Sequence, residues 1–265
     1  MRNKNRPGAI ALFSFLFSLF SFSCGLDAFY YLDYIPDSVM RDNTFARVSL
    51  PSSSSDGYSK PDEGGYFNNF VIFYRIYISG EALSGEINTS ELRTRVNSSM
   101  NTDFNGLSGQ TDKTSTSFSP TSNLEKLFTD RKFFKLALEG ANIDSVLGRD
   151  SLGSTLDISF SPVNGERPEL TLNGVSYILQ RAVSGPGLNF NPVPDNRYFL
   201  NHPDLYNTAN VTNERNADTA TNSKTDPELR FTYVSMYIFA MGKEYLTTIY
   251  SQPTHIGIFR LAEAF

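Results

Sequence analysis

The alternation of apolar and polar residues is strongest in two segments of the chain, residues 67–80 and 228–242. In the first, apolar side chains occupy both even and odd positions, and Arg75 is the one charged interruption. A period of two with apolar residues on both sides is typical of a strand that is covered on both faces. We interpret Arg75 as marking the solvent edge of one face, with its aliphatic stem lying on neighbouring rings.

The second segment, ELRFTYVSMYIFAMG, has the same double-sided pattern. One side carries aromatic residues and a methionine, and the other carries aliphatic residues: Phe231, Tyr233, Tyr237, Phe239 and Met241 against Val234, Met236, Ile238 and Ala240. The pattern therefore predicts a second central strand, buried like the first.

Shorter strands are predicted elsewhere along the chain from alternation and from flanking turn residues. The segments are 28–38, 43–51, 130–140, 154–162, 168–182 and 250–265. Asn173–Gly174 divides the fifth of them and predicts a two-residue hairpin turn. In the last segment we expect Ile256 and Ile258 on one side, and Phe259 and Leu261 on the other.

One helix is predicted over residues 88–107. Its apolar residues recur at helical spacing, at Leu92, Val96, Met100, Phe104 and Leu107. Asn88 followed by Glu91 is similar to a capping box, and Gly106 suits the end of a helix. The segments 52–65, 108–123 and 201–225 are polar and lack periodicity, so we expect exposed loops there.

Short strands joined by polar loops predict a mainly β protein, with two packed sheets rather than a parallel sheet. The pieces FVIFYRIYISG, FTYVSMYIFAMG and YSQPTHIGIFRL resemble the third, sixth and seventh strands of a fibronectin type III domain. The resemblance implies an immunoglobulin/fibronectin type III-like β-sandwich. Because such a sandwich needs about 100 residues, the helix, the hairpin and the polar loops would be long insertions.

The first 24 residues, MRNKNRPGAIALFSFLFSLFSFSC, have the parts of a secretory signal. Arg2, Lys4 and Arg6 give a positive start, and an apolar run follows from 9 to 22. The alternative is a transmembrane anchor. As a helix the apolar run would span about 21 Å, which is short of the roughly 30 Å hydrocarbon core of a bilayer. We therefore predict a signal peptide over residues 1–23.

Cys24 is the only cysteine and stands where the apolar run stops. It can be a free thiol, an intermolecular bridge or a modified residue. A catalytic thiolate needs a neighbouring base, and the chain has only His202 and His255, both distant in sequence. The stretch from Leu19 to Gly25 resembles a bacterial lipobox, although Ser21 replaces the usual leucine. Its relaxed form is similar to that of spirochaete lipoproteins.

The lipobox resemblance implies that Cys24 is diacylated and becomes the new N-terminus. Two acyl chains suffice for stable membrane anchoring. The predicted organisation is thus a signal peptide (1–23), a lipid tether (24–27) and a β-sandwich domain (28–265), which contains the helical insert near 88–107 and polar loops near 108–123 and 201–225. We therefore expect the acylated Cys24 to attach the protein to a membrane.

Charge argues against some partner classes. The chain has 23 Lys and Arg against 28 Asp and Glu. Loss of residues 1–23 removes three basic residues and leaves 20 against 28, a net charge of −8. An acidic chain without a basic run is not typical of proteins that bind nucleic acid or anionic headgroups.

Residues with metal-binding or acid–base chemistry are few. His202 and Asp204 flank a proline, and the loop around them offers no further His or Cys, so an exposed loop histidine is favoured over a metal site. We interpret His255 as a packed or edge histidine. The acidic residues of the late polar region match no calcium loop and are interpreted as solvated charge: Glu214, Asp218, Asp226 and Glu228.

Aromatic residues around the first central strand could form a stacking platform for sugars, but a sandwich core is favoured, since the chain has no Trp. The candidates are Tyr66, Phe67, Phe73 and Tyr77. We predict no catalytic residue, cofactor or metal.

The combination of the lipobox with YYLDYIP, IFYRIYISG and YSQPTHIGIF resembles uncharacterised treponemal lipoproteins, which supplies no activity. We expect a lipid-anchored cell-envelope protein that is not an enzyme. It would act as a binding or structural module and possible surface adhesin. It would be held at the outer membrane, and the sequence does not say which face of that membrane it occupies. A protein partner would meet loops 52–65, 108–123 and 201–225. Two alternatives stay open: a periplasm-facing envelope-assembly or solute-binding lipoprotein, and a hydrolase of envelope polymers.

Overall fold

Strands dominate the computed structural model, which describes residues 32–55, 57–59, 66–79, 83, 87, 89–111, 123–160, 167–182, 190, 219–220, 231–244 and 246–261. The strands are β1 (Val39–Asp42), β2 (Phe45–Ser49), β3 (Phe67–Ser79), β4 (Phe134–Lys135), β5 (Ala137–Leu138), β6 (Thr155–Ser159), β7 (Glu169–Leu172), β8 (Val175–Gln180), β9 (Thr219–Ala220), β10 (Phe231–Glu244), β11 (Thr247–Tyr250) and β12 (Thr254–Leu261). The α-helices are α1 (Ser90–Val96), α2 (Ser98–Thr111), α3 (Leu124–Asp130) and α4 (Ile143–Val146), and a 3-10 turn covers Arg149–Ser151.

The strands form two sheets. Sheet 1 has the order β1–β2–β6–β7–β8–β5, with antiparallel neighbours. Sheet 2 is built on β10, which pairs with β3 from Phe231 to Gly242. On its other side β10 pairs with β12 and then with β11. The short strands β4 and β9 pair with the outer edge of β3, and β9 runs parallel to it. The prediction of a mainly β protein with two sheets is confirmed.

The two sheets pack face to face around one hydrophobic core. Sheet 1 contributes alternate residues of β2, β6 and β7: Ala46, Val48, Leu156, Ile158, Leu170 and Leu172. Sheet 2 contributes the even-numbered residues of β3 and β10: Phe70, Ile72, Tyr74, Ile76, Val234, Met236, Ile238 and Ala240. Strands of sheet 1 alternate buried and accessible residues, which is the pattern of an antiparallel sheet covered on one side.

Helices cover the other face of sheet 2 and make a third layer. Its odd-numbered residues, Val71, Phe73, Tyr77, Tyr233, Tyr237 and Phe239, pack against apolar residues of the helical segments, which include Val96, Met100, Leu107, Leu124 and Phe128. Both central strands are therefore buried on both faces, as their sequences predict. The expectation for Arg75 was wrong, because helix α2 covers the position that would have been the solvent edge, and only 14% of the Arg75 side chain is exposed.

A β-bulge in β12 changes which face its residues occupy. Met236 pairs with Gly257 while Tyr237 pairs with His255, so Ile256 is an extra residue in the ladder. The alternation shifts by one at this point. Ile256 lies in the core between the sheets together with Phe259 and Leu261, whereas Ile258 lies under the helices. The expectation that Ile256 and Ile258 lie on the same side of the strand was wrong for this reason.

The helix predicted over 88–107 consists of two helices that meet at Asn97. Asn97 has an extended backbone (φ −165°, ψ 130°), and its side chain accepts a hydrogen bond from the N–H of Ser99. The N-cap of α1 is Thr89, whose hydroxyl accepts from Leu92 N–H. The proposed cap, Asn88, lies outside the described residues. Helices α3 and α4 were not predicted.

The remaining strand predictions had mixed outcomes. Segments 43–51 and 154–162 contain β2 and β6, and the hairpin at Asn173–Gly174 joins β7 to β8 with both turn residues at positive φ. Residues 32–38 contain no strand, although Leu32 and Ile35 are buried in the core. Segment 130–140 holds only the two-residue strands β4 and β5.

Of the predicted tether and loops, 24–27 and most of 108–123 and 201–225 lie outside the described residues. Within 201–225, the described pair Thr219–Ala220 is a strand beside β3 rather than loop. No helix in the described ranges is both long enough and apolar enough to cross a membrane.

Candidate functional site

Polar side chains gather between sheet 2 and helices α1 and α2, in a layer that is otherwise apolar. We call this group the polar cluster. The sheet contributes Arg75, Tyr77, Ser235, Tyr237 and His255, and the helical segments contribute Arg93, Asp103, Phe104 and Arg131. Buried polar groups need internal partners, so the contacts among these residues decide what the cluster can do.

Asp103 is the carboxylate at the centre of one half of the cluster. Nη1 of Arg75 lies 2.5 Å from Oδ2 of Asp103, and the hydroxyl of Tyr77 donates to the same oxygen at 2.7 Å. Nη1 of Arg75 also donates to the backbone carbonyl of Arg131 at 2.8 Å. One arginine on β3 thus joins α2 to the turn that follows α3.

Burial sets the protonation properties of this half. Desolvation raises the pKa of Asp103, and the hydrogen bond from Tyr77 and the positive charge of Arg75 act in the opposite direction. Burial and the nearby carboxylate raise the pKa of Tyr77 well above its ordinary value. Tyr77 therefore keeps its proton and acts as a hydrogen-bond donor at neutral pH.

His255 is the centre of the other half of the cluster. Its Nε2 lies 3.1 Å from the hydroxyl oxygen of Ser235, and its ring lies 4.6 Å from the Tyr237 ring, centroid to centroid. Phe104 of α2 meets the imidazole edge-on, with centroids 5.5 Å apart. The bulge in β12 places His255 on this face of the sheet, directly opposite Tyr237.

Burial, together with the positive charge of Arg93, lowers the pKa of His255 to about 3. The guanidinium carbon of Arg93 lies 3.6 Å from the centroid of the Phe104 ring, a close cation–π contact. His255 is thus a neutral imidazole at physiological pH, held among two aromatic rings and a hydroxyl.

The pair of Ser235 and His255 has the spacing of a nucleophile and its base. An imidazole with a pKa near 3 is a weak base at neutral pH, because general bases work best with a pKa near the working pH. Ser235 is also only 4% exposed, so a substrate has no direct approach to its hydroxyl. The arrangement is suited to holding the helices on sheet 2 rather than to acyl transfer.

Most of the site residues considered from sequence lie outside the described part of the chain. These are Cys24, His202, Asp204, Glu214, Asp218, Asp226 and Glu228. Among the described residues, no group of three or more His, Cys, Asp or Glu side chains is placed to hold a metal ion.

The aromatic residues considered as a platform do not share one surface. Phe67 packs in the core between the sheets, and Tyr66 packs against that core. Phe73 and Tyr77 lie on the helix side, in two different apolar groups. The packing interpretation of these rings agrees with their positions.

Sequence reasoning missed Arg93, Asp103 and Ser235. A signal for Asp103 was available, since it occupies the apolar side of the predicted helix, between Met100 and Leu107. A charged residue at a buried helical position needs a partner of opposite charge, and Arg75 is the matching exception on the buried strand. No comparable signal marks Ser235.

Comparison of the chain with protein-family models, with curated protein sequences and with solved structures finds no significant match.

Proposed function

We propose that this chain is a lipid-anchored protein of a bacterial cell envelope, and that its sandwich is a binding or structural module without catalytic activity. The observation that carries the proposal is the position of Cys24. It is the only cysteine, it follows the apolar run directly, and it precedes the folded domain by a short segment. Leu32, eight residues later, is already buried in the sandwich core.

The segment between Cys24 and Leu32 is short enough to act as a tether and too short to form a second domain. Eight residues span at most about 28 Å when extended. The domain would therefore stay close to the bilayer that holds the acyl chains of Cys24. Two acyl chains on one cysteine give the stable attachment that a single chain does not.

The polar cluster supports a module without catalysis. Its carboxylate is neutralised by Arg75, its histidine is a weak base, and its serine is buried. These features are those of a polar network that fixes the position of a helical layer. They favour a binding or structural role over hydrolysis of envelope polymers.

For the fold, we propose a relation to the immunoglobulin and fibronectin type III sandwiches. In those folds, strands A, B and E share one sheet and strands C, F and G share the other. The order β1–β2–β6 in sheet 1 and β3–β10–β12 in sheet 2 supports this relation. Helices α1 to α4 and strands β4 and β5 would then be insertions between C and E, and β7 and β8 would extend the sheet after E.

The proposed partners are the membrane, through acylated Cys24, and a protein that meets the polar loops 52–65, 108–123 and 201–225. We propose the outer membrane as the location, because Gly25, which follows the acylated cysteine, is not an acidic retention signal. A surface-exposed adhesin and a periplasm-facing assembly or solute-binding component differ in the side of the membrane that the domain faces.

The experiment that tests the proposal follows this protein and a periplasmic control by immunoblot. The blots are made on membrane and soluble fractions of the cells, and on intact cells treated with a protease. The matched variant is Cys24→Ser, expressed at the same level. The proposal expects the wild type in the membrane fraction and the variant released from it. A wild type that stays in the soluble fraction would rule out the anchored module.

The same blots separate the two locations. Digestion of the wild type on intact cells, with the periplasmic control preserved, supports the surface adhesin. Protection until the outer membrane is opened supports the periplasm-facing component and turns the search towards envelope complexes.

A further inference from the structure

The turn between β10 and β11 carries a fully exposed leucine. Glu244 pairs with Thr247, so a two-residue loop joins the strands, and Leu246 in that loop is 101% exposed. Two-residue hairpin loops prefer Asn-Gly, which this chain uses between β7 and β8. At the β10–β11 turn the sequence has Tyr-Leu instead. Turn chemistry therefore does not explain why apolar residues stand at this tip.

The tip projects beyond the neighbouring strand. In the ladder of β10 with β3, Gly242 stands opposite Phe67, the first residue of β3. The next backbone contact joins Lys243 N–H to the carbonyl of Tyr66 at 2.6 Å. Because Glu244 pairs with Thr247, the turn that contains Leu246 lies about three residues past Gly242, or about 10 Å at the rise of a strand. It is thus at the extremity of sheet 2.

The first described residues, 32–35, lie at the same end of the fold. Thr254, at the start of β12, donates to the carbonyl of Ile35. The hydroxyl of Tyr58 donates to the carbonyl of Asp33 at 2.7 Å, and the Tyr58 ring lies 5.1 Å from that of Phe67. Traced backwards from Ile35 to Asp33, the chain runs towards the end of sheet 2 that carries Phe67, which is the end beyond which Leu246 projects.

The tether is long enough for the tip to reach the bilayer. The eight residues from Cys24 to Leu32 reach at most about 28 Å, and the turn with Leu246 extends about 10 Å past the Phe67 end of the sheet. A bilayer holding the acyl chains of Cys24 could therefore be met by the tip without stretching the tether. Tyr34, which is 45% exposed, belongs to the same approaching segment.

We propose that the β10–β11 tip, through Leu246, inserts into the interface of the bilayer that holds Cys24, and so fixes the orientation of the sandwich on the membrane. This inference rests on the proposed lipid anchor. An exposed leucine at a projecting tip, with a tyrosine next to it in the sequence, is suited to the interfacial region, where apolar side chains leave water and tyrosines are enriched. Insertion of this kind needs no anionic headgroup, which agrees with the acidic character of the chain.

The test uses the full-length, membrane-extracted protein with a single reporter. Acylation consumes the thiol of Cys24, so Leu246→Cys introduces the one free thiol, which is labelled with an environment-sensitive fluorophore. The labelled protein is reconstituted into phosphatidylcholine vesicles, with and without brominated acyl chains as short-range quenchers. Val39→Cys is the matched control, because Val39 is also apolar and 68% exposed but lies on the edge strand β1.

The inference predicts that brominated lipid removes most of the fluorescence at position 246 and little of that at position 39. Equal and weak quenching at the two positions, in protein that floats with the vesicles, would overturn it while the lipid anchor stands. The fluorescence at position 246 is also measured in detergent without lipid. If it falls as the protein concentration rises, the tip contacts a second copy of the chain, which would overturn the inference.

Failure of the anchor itself has a separate signature. If mass spectrometry of the N-terminal peptide finds an unmodified Cys24 and the protein does not float, the proposed function fails. Membrane insertion of the tip is then tested with the variant Cys24→Ser/Leu246→Cys, which is labelled at position 246 alone and added to the same vesicles. Quenching there still supports membrane insertion, and its absence overturns it.

Discussion

Asp103 has the largest predicted effect among the single residues of the polar cluster, because it neutralises a charge in an otherwise apolar layer. Replacement by asparagine keeps the shape but leaves Arg75 charged and without its counterion. Removing one partner of a buried ion pair costs about 3 kcal/mol or more. We expect Asp103→Asn to lower the free energy of unfolding by about that amount, as measured by urea titration.

The control for this prediction is Asp157→Asn on sheet 1. Asp157 pairs with Arg47, whose side chain is 52% exposed, and surface pairs contribute little. A second test replaces both buried partners, in Arg75→Met/Asp103→Leu, which should recover much of the lost stability. Equal losses in the two asparagine variants, or no recovery in the double variant, would contradict the role given to Asp103.

His255 should make stability fall in mild acid. Its pKa is about 3 in the folded protein and about 6.5 in an unfolded chain. The unfolded state therefore binds the proton first, and stability decreases as the pH falls from about 6.5 towards 3. Because His255 is only partly buried, we expect about 1 kcal/mol per pH unit rather than the full 1.4.

This prediction is measured as a difference between two variants. His202→Gln provides a background in which His255 is the only histidine, and His255→Gln is added to it. The difference in unfolding free energy between the two should depend on pH between 6.5 and 4 and be flat above 7. A constant difference over the whole range would mean that folding leaves the pKa of His255 unchanged.

At the scale of residues, the sequence predicted burial better than partners. It predicted that both sides of 67–80 are covered, but it assigned Arg75 to solvent. Helix α2 covers Arg75 from a distant part of the chain, and the strand's own pattern does not contain that contact. The one sequence signal for the Arg75–Asp103 ion pair was the position of Asp103 on the apolar side of the helix.

At the scale of elements, the irregular end of the β3–β10 ladder depends on one glycine. A Cβ on Gly242 would collide with the backbone carbonyl of Tyr66, which cannot move aside like a flexible side chain. We expect Gly242→Ala to cost about 2–3 kcal/mol, as for other overpacked positions. It should also weaken protection of the Lys243 amide in hydrogen exchange.

Gly174→Ala is the matched control. Gly174 has a positive φ of 78°, but the space around it is open. Only backbone strain opposes the substitution, at about 1–2 kcal/mol. If Gly174→Ala destabilises the protein more than Gly242→Ala, close backbone approach is not what fixes glycine at 242.

Helix α3 packs on the sheet through Leu124 and the aromatic side chain of Phe128. Phe128 is fully buried and contacts the rings of Phe73, Phe133, Tyr237 and Phe239. We expect Phe128→Ala to cost about 3–5 kcal/mol. The neighbouring variant Leu127→Ala, at a half-buried position, should cost clearly less in the same thermal or urea unfolding. Similar losses would indicate that α3 is held along its length instead.

Elements were predictable where local pattern and tertiary structure agree. The double-sided strands and the Asn173–Gly174 hairpin met that condition. The bulge at Ile256 did not, because it depends on the pairing of β12 with β10 rather than on alternation within β12. Helices α3 and α4 have seven and four residues, which is too short for a clear helical period, and the break at Asn97 interrupts an otherwise continuous spacing.

At the scale of the whole molecule, the sheet-forming strands were predictable but the three layers were not. Apolar residues on both faces of β3 and β10 required a cover for each face. The sequence could not say that one cover is sheet 1 and the other is helical. The polar cluster follows from that arrangement, since its residues come from five separate segments of the chain.

Orientation on the membrane joins the fold to the proposed function. Asp33, near the start of the described chain, and the β10–β11 tip belong to one end of the sandwich. If that end meets the bilayer as proposed, the opposite end, with the β1–β2 turn at Asn43–Thr44, faces away from it. A partner of the anchored module would therefore find the Asn43–Thr44 end more accessible than the Leu246 end.

In the proposed function the lipid on Cys24 anchors the domain, and the N-terminal peptide of the mature protein shows directly whether that lipid is present. Protein purified from cells that process lipoproteins is digested, and the peptide that contains Cys24 is analysed by mass spectrometry. We predict a chain that begins at Cys24 and carries the added mass of acyl groups, with no such mass in Cys24→Ser. An unmodified Cys24, or a mature chain that begins elsewhere, would contradict the account.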